Sequence, residues 1–243
     1  MRYLVVSDIH GNAPALEAVL QGSPDFDALI CLGDMVGYGP NPNECVSRLS
    51  DFELVCLAGN HDWGAIGKAD LLVFNREARH ALLWTQSVMR PTVADYLKRL
   101  PPMQALMDGI VLAHGSPRDP VWEYLVDAAS AARNFEQFDF HAALVGHSHL
   151  PLVHEWLEDD GRVQLLRAEV GMLMHLEGRR LILNPGSVGQ PRDGDPRASF
   201  ASLDTEQMTW SFHRVPYPVT ITQERMRAQA LPQRLIDRLE VGR

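Results

Sequence analysis

The first sixty residues alternate in kind. Tyr3–Val6, Ala28–Leu32 and Leu54–Ala58 are apolar runs of strand length. Between them lie two segments with helical patterning: Ala13–Gln21, with Asn12 as N-cap and Pro14 in the first turn, and Asn43–Ser50 after a Pro-rich turn. Strand–helix–strand–helix–strand admits few arrangements, and it predicts parallel strands joined by right-handed crossovers. Polar residues stand just past each strand, as Ser7-Asp8, Gly33-Asp34 and Gly59-Asn60. Open α/β sheets bind ligands at that edge, so the three loops are expected to converge on one site.

Residues 64–100 have a different texture. Phe74–Met89 places Ala, Leu and Trp on one helical face, and Val93–Leu100 reads as a second helix; together they are expected to flank the first sheet. From Met103 the pattern is β. Met103–Met107 and Ile110–Ala113 flank Asp108-Gly109, a strong hairpin signal. Val153–Leu157 and Val163–Leu166 flank Asp159-Asp160-Gly161, and Met172–Leu176 and Leu181–Leu183 flank Glu177-Gly178. Ser199–Leu203 and Thr209–His213 form one more pair, so the second half is expected to add an antiparallel sheet. The tail is helical from about residue 220; its Leu231, Leu235 and Leu239 stripe reads as packing, and Pro232 interrupts or restarts the helix. No linker and no internal repeat divides the chain, which reads as a single domain over residues 1–243 with two packed sheets.

Composition narrows the function classes. A chain of 243 residues with 46% apolar and 22% charged residues is ordinary for a globular protein. A net charge of −9 disfavours bulk nucleic-acid binding driven by phosphate neutralisation. No apolar run is long enough to cross a bilayer, and the first strand leads at once into Ser7-Asp8 with no signal-peptide pattern, so a cytoplasmic location is the default. The three cysteines, Cys31, Cys45 and Cys56, form no Cys-x-x-Cys pair and fit a reducing compartment.

Five polar motifs carry the chemistry. In chain order they are Asp8-Ile9-His10, Gly33-Asp34, Gly59-Asn60-His61-Asp62, His114-Gly115 and Gly146-His147-Ser148-His149, and each follows an apolar run. Asp-x-His and His-x-His are expected to present two ligands on one side of an extended segment, because side chains alternate along a strand. Two Asp, one Asn and at least four His exceed the needs of one tetrahedral zinc. They fit two metals about 3.5–4 Å apart bridged by one carboxylate. Mixed oxygen and imidazole donors suit transition metals over magnesium alone or copper–thiolate chemistry; manganese is expected first, with Fe, Zn, Co or Ni as alternatives. Any one motif alone reads as a cap or turn. Five strand ends in order, each with the required donor type, do not.

The ordered set resembles the calcineurin-like metallophosphoesterase superfamily, whose pattern is DxH, GD, GNH(D/E), H and GHxH, here spanning Asp8 to His149. Ser7-Asp8-Ile9-His10-Gly11-Asn12 and the late Asn184-Pro185-Gly186-Ser187-Val188-Gly189 resemble its small bacterial and archaeal phosphodiesterase-like branch. The resemblance implies an α/β fold: a four-layer α/β/β/α sandwich of two packed mixed sheets with flanking helices. It implies that Asp8, His10 and His149 hold one metal, that Asn60, His114 and His147 hold the other, and that Asp34 bridges them with a shared water or hydroxide. It places His61 over the site as phosphate contact and general acid. The implied reaction is metal-assisted hydrolysis of a phosphate ester by a metal-bridging hydroxide, with a phosphodiesterase acting on small soluble esters as the leading form. Phosphomonoesterase, protein phosphatase and dinucleoside polyphosphate hydrolase remain alternatives, as does a metal-binding scaffold or regulatory protein on the same fold. A homo-oligomer is left open.

The second motif departs from that of the superfamily's protein phosphatases, GDxxDRG. Gly37 stands where they carry the Asp that partners the catalytic His, and Tyr38 stands where they carry Arg. His61 is therefore left without a carboxylate partner. Asn12, Arg118 and Arg192 are candidate substrate contacts, each with a competing structural role: N-cap for Asn12, ion pair or solvated face for the arginines. Tyr38, Trp63 and Trp122 are candidate stacking residues whose default is packing.

Overall fold

A computed structural model describes all residues from Met1 to Arg243. The opening alternation is β1 (Arg2–Val6), α1 (Ala13–Gly22), β2 (Ala28–Cys31), α2 (Pro42–Leu49) and β3 (Leu54–Cys56). The three strands pair in parallel, with Val6 opposite Cys31 and Cys31 opposite Cys56. Next come α3 (Asn60–Ala65), a 3-10 turn at Leu71–Val73, α4 (Arg76–Val88) and α5 (Pro91–Arg99). The remainder is β4 (Met103–Met107), β5 (Ile110–Ala113), α6 (Ala128–Gln137), β6 (Ala142–Leu144), β7 (Pro151–Leu157), β8 (Arg162–Arg167), β9 (Leu173–His175), β10 (Arg180–Pro185), β11 (Ala198–Asp204), β12 (Thr209–Val215), α7 (Val219–Ala228) and α8 (Gln233–Val241).

Two six-stranded mixed sheets result, in the orders β3-β2-β1-β11-β12-β9 and β4-β5-β6-β10-β7-β8. Alternation along β1 shows the layering. Val5 joins Ile30, Leu32, Leu144, Leu183 and Trp210 between the sheets, whereas Leu4 and Val6 face the helices with Leu16, Leu49, Leu82 and Leu235. On the far side Ala113, Ala143, Val145 and Ile182 pack against Phe135 of α6. The order is thus α/β/β/α. Central strands buried on both faces explain the continuous apolar runs that marked them in the sequence. The Leu231, Leu235 and Leu239 stripe is buried in the helix-side core. No helix is long and apolar enough to cross a membrane.

One expectation is corrected. The second half does not form a separate antiparallel sheet. β11, β12 and β9 complete the first sheet, and β10 lies parallel to β6 in the second. Glu177-Gly178 therefore closes no hairpin: β9 pairs with β12, and the chain crosses between sheets before β10. Met174 on β9 is buried between the sheets beside Trp210, and that long-range contact outweighs the local turn signal.

Candidate metal centre

Each candidate ligand follows a parallel strand. Asp8 and His10 follow β1, Asp34 follows β2, Asn60 opens α3 after β3, His114 follows β5, and His147 and His149 follow β6. Both sheets therefore contribute the carboxyl ends of their parallel strands to one edge. The paired motifs do not use strand alternation, contrary to expectation. Asp8, His10, His147 and His149 have φ of 53°, 50°, 64° and 60°, and Asp34 has 53°. Left-handed backbone at non-glycine residues costs on the order of 1–3 kcal/mol each and gathers at functional sites. Here it turns successive side chains inward after the strands have ended.

The side chains fall into two groups of convergent donor atoms, Asp8–His10–His149 and Asp34–His114–His147, all buried. The ring hydrogens are committed. His10 donates through Nδ1 to the Val36 carbonyl (3.1 Å), His149 through Nδ1 to that of Gln190 (2.6 Å), and His114 through Nδ1 to that of Leu32 (2.8 Å). Each Nε2 of a neutral ring then carries only a lone pair. His10 and His149 aim those lone pairs at each other across 3.1 Å, whereas His114 Nε2, 3.2 Å from Asn60 Oδ1, donates to that oxygen when its ring is protonated. Asp8 Oδ1, Asp34 Oδ2 and His147 Nε2 are buried with no partner. Acceptors facing acceptors in a dry site repel unless a cation lies among them, so the donor set fits bound metal.

Asp34 links the groups. Its Oδ1 accepts from the His61 backbone N–H at 2.8 Å, while the free Oδ2 lies 3.7 Å from His10 Nε2 and 3.5 Å from His114 Nε2. Asp8 divides its oxygens similarly: Oδ2 accepts from His147 N at 3.0 Å and Oδ1 lies 3.3 Å from His149 Nε2. Gly59 admits this arrangement, since a Cβ there would lie 2.1 Å from Asp34 Oδ1.

A sequence model of the calcineurin-like phosphoesterase superfamily domain matches residues 1–208. The chain belongs to the calcineurin-like phosphoesterase superfamily. An uncharacterized protein of Methanocaldococcus jannaschii, MJ0912, is 37% identical, covering 98% of this chain and 97% of that protein. The phosphodiesterase YfcE of Escherichia coli K12 is 25% identical over 86% of this chain and 90% of its own. The crystal structure of a metallophosphoesterase from Sphaerobacter thermophilus aligns over 100% of both chains with a TM-score of 0.90 and 41% identity. Family and donor geometry together support a dinuclear divalent metal centre in a metal-dependent phosphoesterase.

The electrostatics of the metal-free site follow from burial. It pushes the Asp8 carboxyl up to about 7 and lowers His147 to about 3, with His10 and His149 well below their usual range. Burial would also raise Asp34, but the surrounding His114, His61 and His10 reverse the sign and hold it low. The same pairing overcomes burial at His114, raised to about 9. The site therefore combines the neutral rings of His10, His147 and His149 with an ion pair between the firmly ionised Asp34 and His114.

His61 of this phosphoesterase is 4% exposed, and its Nδ1 has no hydrogen-bond partner. Its ring is held by neighbouring rings, with centroids 4.3 Å from Tyr38, 5.1 Å from Phe74 and 4.8 Å from His10. A carboxylate in place of Gly37 has no room: φ is +86°, and a Cβ there would lie 2.6 Å from His61 Nδ1. Burial lowers His61 to about 4. Asp62 does not touch the His61 ring. Its carboxylate accepts from the backbone N–H groups of Asp34 (2.8 Å), Gly59 (2.9 Å) and Val36 (3.2 Å), tying the second motif to the third and capping α3.

The softer candidates separate. Asn12 is buried with its groups committed: Nδ2 to Gly189 O and Tyr217 Oη, Oδ1 from Ala15 N and Thr222 Oγ1. Arg118 is ion-paired with Glu123 at 2.8 Å. Arg192 keeps its Nε buried and unpartnered, with Nη2 bonded to Gln190 Oε1 (3.1 Å) and its guanidinium 5.9 Å from the Tyr38 ring centroid. Trp122 packs edge-on against Phe74, and Lys68 covers Trp63. Sequence reasoning missed Phe74 and Tyr124, whose ring lies 3.9 Å from that of His147. Neither carries a motif, and each reaches the site through tertiary contact alone. The late loop Asn184–Gly189 marks the resemblance and is also the Gly-rich loop that leads to Arg192. It braces the ligand loops: Ser187 donates to Asp8 O, and Asn184 to Gly146 O and Ser148 Oγ.

Proposed function

We propose that this protein is a phosphodiesterase that hydrolyses small soluble phosphate diesters at a dinuclear centre. The carrying observation is the pair of facing lone pairs of His10 and His149, together with the buried, unpartnered Asp8 Oδ1, His147 Nε2 and Asp34 Oδ2, the last lying between His10 and His114. Asp8, His10 and His149 would hold one metal and Asn60, His114 and His147 the other, with Asp34 as the ligand common to both; manganese is the first choice. Two divalent ions bound there supply Lewis acidity toward phosphoryl oxygens and acidify water. Val36, Gln190 and Leu32 fix the imidazole tautomers through their carbonyls. His61 delivers the proton to the departing oxygen. Its depressed pKa leaves it neutral before substrate binds, and an anionic phosphoryl group beside it restores the proton. Arg192 spends its free Nε–H on a phosphoryl oxygen.

Diester preference is supported by the 25% identity to a phosphodiesterase of E. coli and by charge. Arg192 brings a single guanidinium charge to the site, which suits the monoanion of a diester better than the dianion of a monoester. Three buried, unpaired thiols support placing the activity in the cytoplasm.

The test compares bis(p-nitrophenyl) phosphate with p-nitrophenyl phosphate on metal-stripped protein, with and without Mn²⁺, beside His61→Ala. Manganese-dependent diester cleavage that falls in the variant is expected. Monoester preference would move the activity to a phosphatase. No turnover of either ester with two metals bound would favour a scaffold.

A further inference from the structure

A groove of about 530 Å³ opens between Val126, the start of β7, the end of β8 and the Arg192 loop. Its size is that of a small-molecule site. Two of its lining residues adjoin the metal ligand candidate His149: Leu150 directly follows it, and the Arg192 backbone N–H donates to its carbonyl at 3.3 Å. The remaining wall is of two kinds. Val126, Leu150, Leu152 and Leu165 are apolar, and Val126 and Leu165 are 42% and 38% exposed. Arg167, exposed at the end of β8, adds a second guanidinium on the β-strand side of the wall, and Arg243 adds a third. Asp193, the acidic side chain on the wall, is ion-paired with Arg214, so its charge is already answered.

An apolar floor with a guanidinium at the metal end and another beyond it matches a ligand with an anion at each end and an uncharged body between. The buried Nε of Arg192 has no partner and is free to meet the scissile phosphate. We propose that the groove is the subsite for the retained half of the substrate, and that this half carries a second phosphate which Arg167 binds. The substrate class is then a phosphodiester with a further phosphate one nucleoside-sized body away. This rests on the phosphodiesterase reading. In the reaction water adds its oxygen to phosphorus and releases a proton. The bond to the leaving oxygen breaks with its electron pair, and the second phosphate stays intact.

Three esters with the same p-nitrophenolate leaving group isolate the effect. They are bis(p-nitrophenyl) phosphate, thymidine 5′-(p-nitrophenyl phosphate) and the latter carrying a 3′-phosphate. In the native enzyme kcat/KM is expected to rise about tenfold or more from the second to the third, the scale of one charge-assisted hydrogen bond. In Arg167→Ala that ratio falls toward one, and in Leu165→Glu, which puts an anion on the groove wall, it falls below one. A native ratio near one, or a ratio kept in both variants, overturns the inference. Calorimetric binding of thymidine 3′,5′-bisphosphate to the metal-loaded protein reads the subsite without turnover; about tenfold weaker binding to Arg167→Ala is expected, and equal binding overturns it. If no ester is cleaved but the bisphosphate binds through Arg167, the phosphodiesterase reading fails and the groove stands.

Discussion

Replacing Gly37 with alanine tests how His61 is held. The residue has φ of +86°, and a Cβ there would sit 2.6 Å from His61 Nδ1 and 3.1 Å from His61 Cβ and Cγ. Adopting left-handed backbone with a side chain costs about 1–2 kcal/mol. Overpacking adds about 1–3 kcal/mol unless the imidazole moves. Tyr38, Phe74 and His10 crowd its ring, so any movement carries it off its rotamer and away from the leaving group. The expected outcome is a folded variant, about 2–4 kcal/mol less stable, that keeps two metals per chain by elemental analysis. Its kcat on an alkyl diester drops about a hundredfold, the scale of a general acid displaced by about 1 Å. The p-nitrophenyl diester, whose leaving group departs as a stable anion, loses much less. A two-metal variant with kcat on the alkyl ester within about twofold of native refutes the reasoning. So does a Gly37→Asp variant as active as native, because it would show space for a carboxylate where the structure has none.

Other perturbations separate the remaining links. Asp34→Asn is expected to lose activity and to fall below two metals per chain by elemental analysis, because the oxygen shared by both groups becomes a weaker ligand. Asp62→Asn turns an NH2 donor toward backbone N–H donors and is expected to cost about 2–3 kcal/mol, lowering Tm by about 5–10 °C in calorimetry. His154 is buried on β7 with both ring nitrogens unpartnered, and burial lowers it to about 4. The unfolded chain, titrating near 6.5, therefore binds that proton first. Stability from the neutral ring is full above pH about 6.5 and is lost as pH falls toward 4. His154→Leu should remove about 2–3 kcal/mol of the stability loss between pH 7 and pH 4.5 in urea titrations; an unchanged loss counts against it.

The legible parts of the sequence were those whose signal is local. Strand–helix alternation over sixty residues specified the parallel unit because crossover chirality leaves one solution. The strand-end motifs were visible because ligand chemistry restricts residue types, and Asp8, His10, Asp34, Asn60, His114, His147 and His149 do lie together in the fold. The left-handed φ values that turn those side chains inward had no sequence signature, since they are imposed by the loops packed around them. Strand partnership was also hidden. A Glu-Gly turn beside β9 signals a hairpin, yet Met174 gains more by burying beside Trp210 in the other sheet.

The chain alone determined which donor atoms exist and that they follow strands, because both are carried by residue type and periodicity. Tertiary structure decided which atoms meet. It left Asp34 Oδ2 free between two histidine groups, spent Asn12 and Arg118 on internal partners, and left Arg192 with an unpaired donor. It also closed the space beside Gly37, so that rings rather than a carboxylate hold His61. These outcomes depend on contacts between residues far apart in the chain, and a one-dimensional pattern does not encode the distances on which lone-pair repulsion, ion pairing and van der Waals exclusion act.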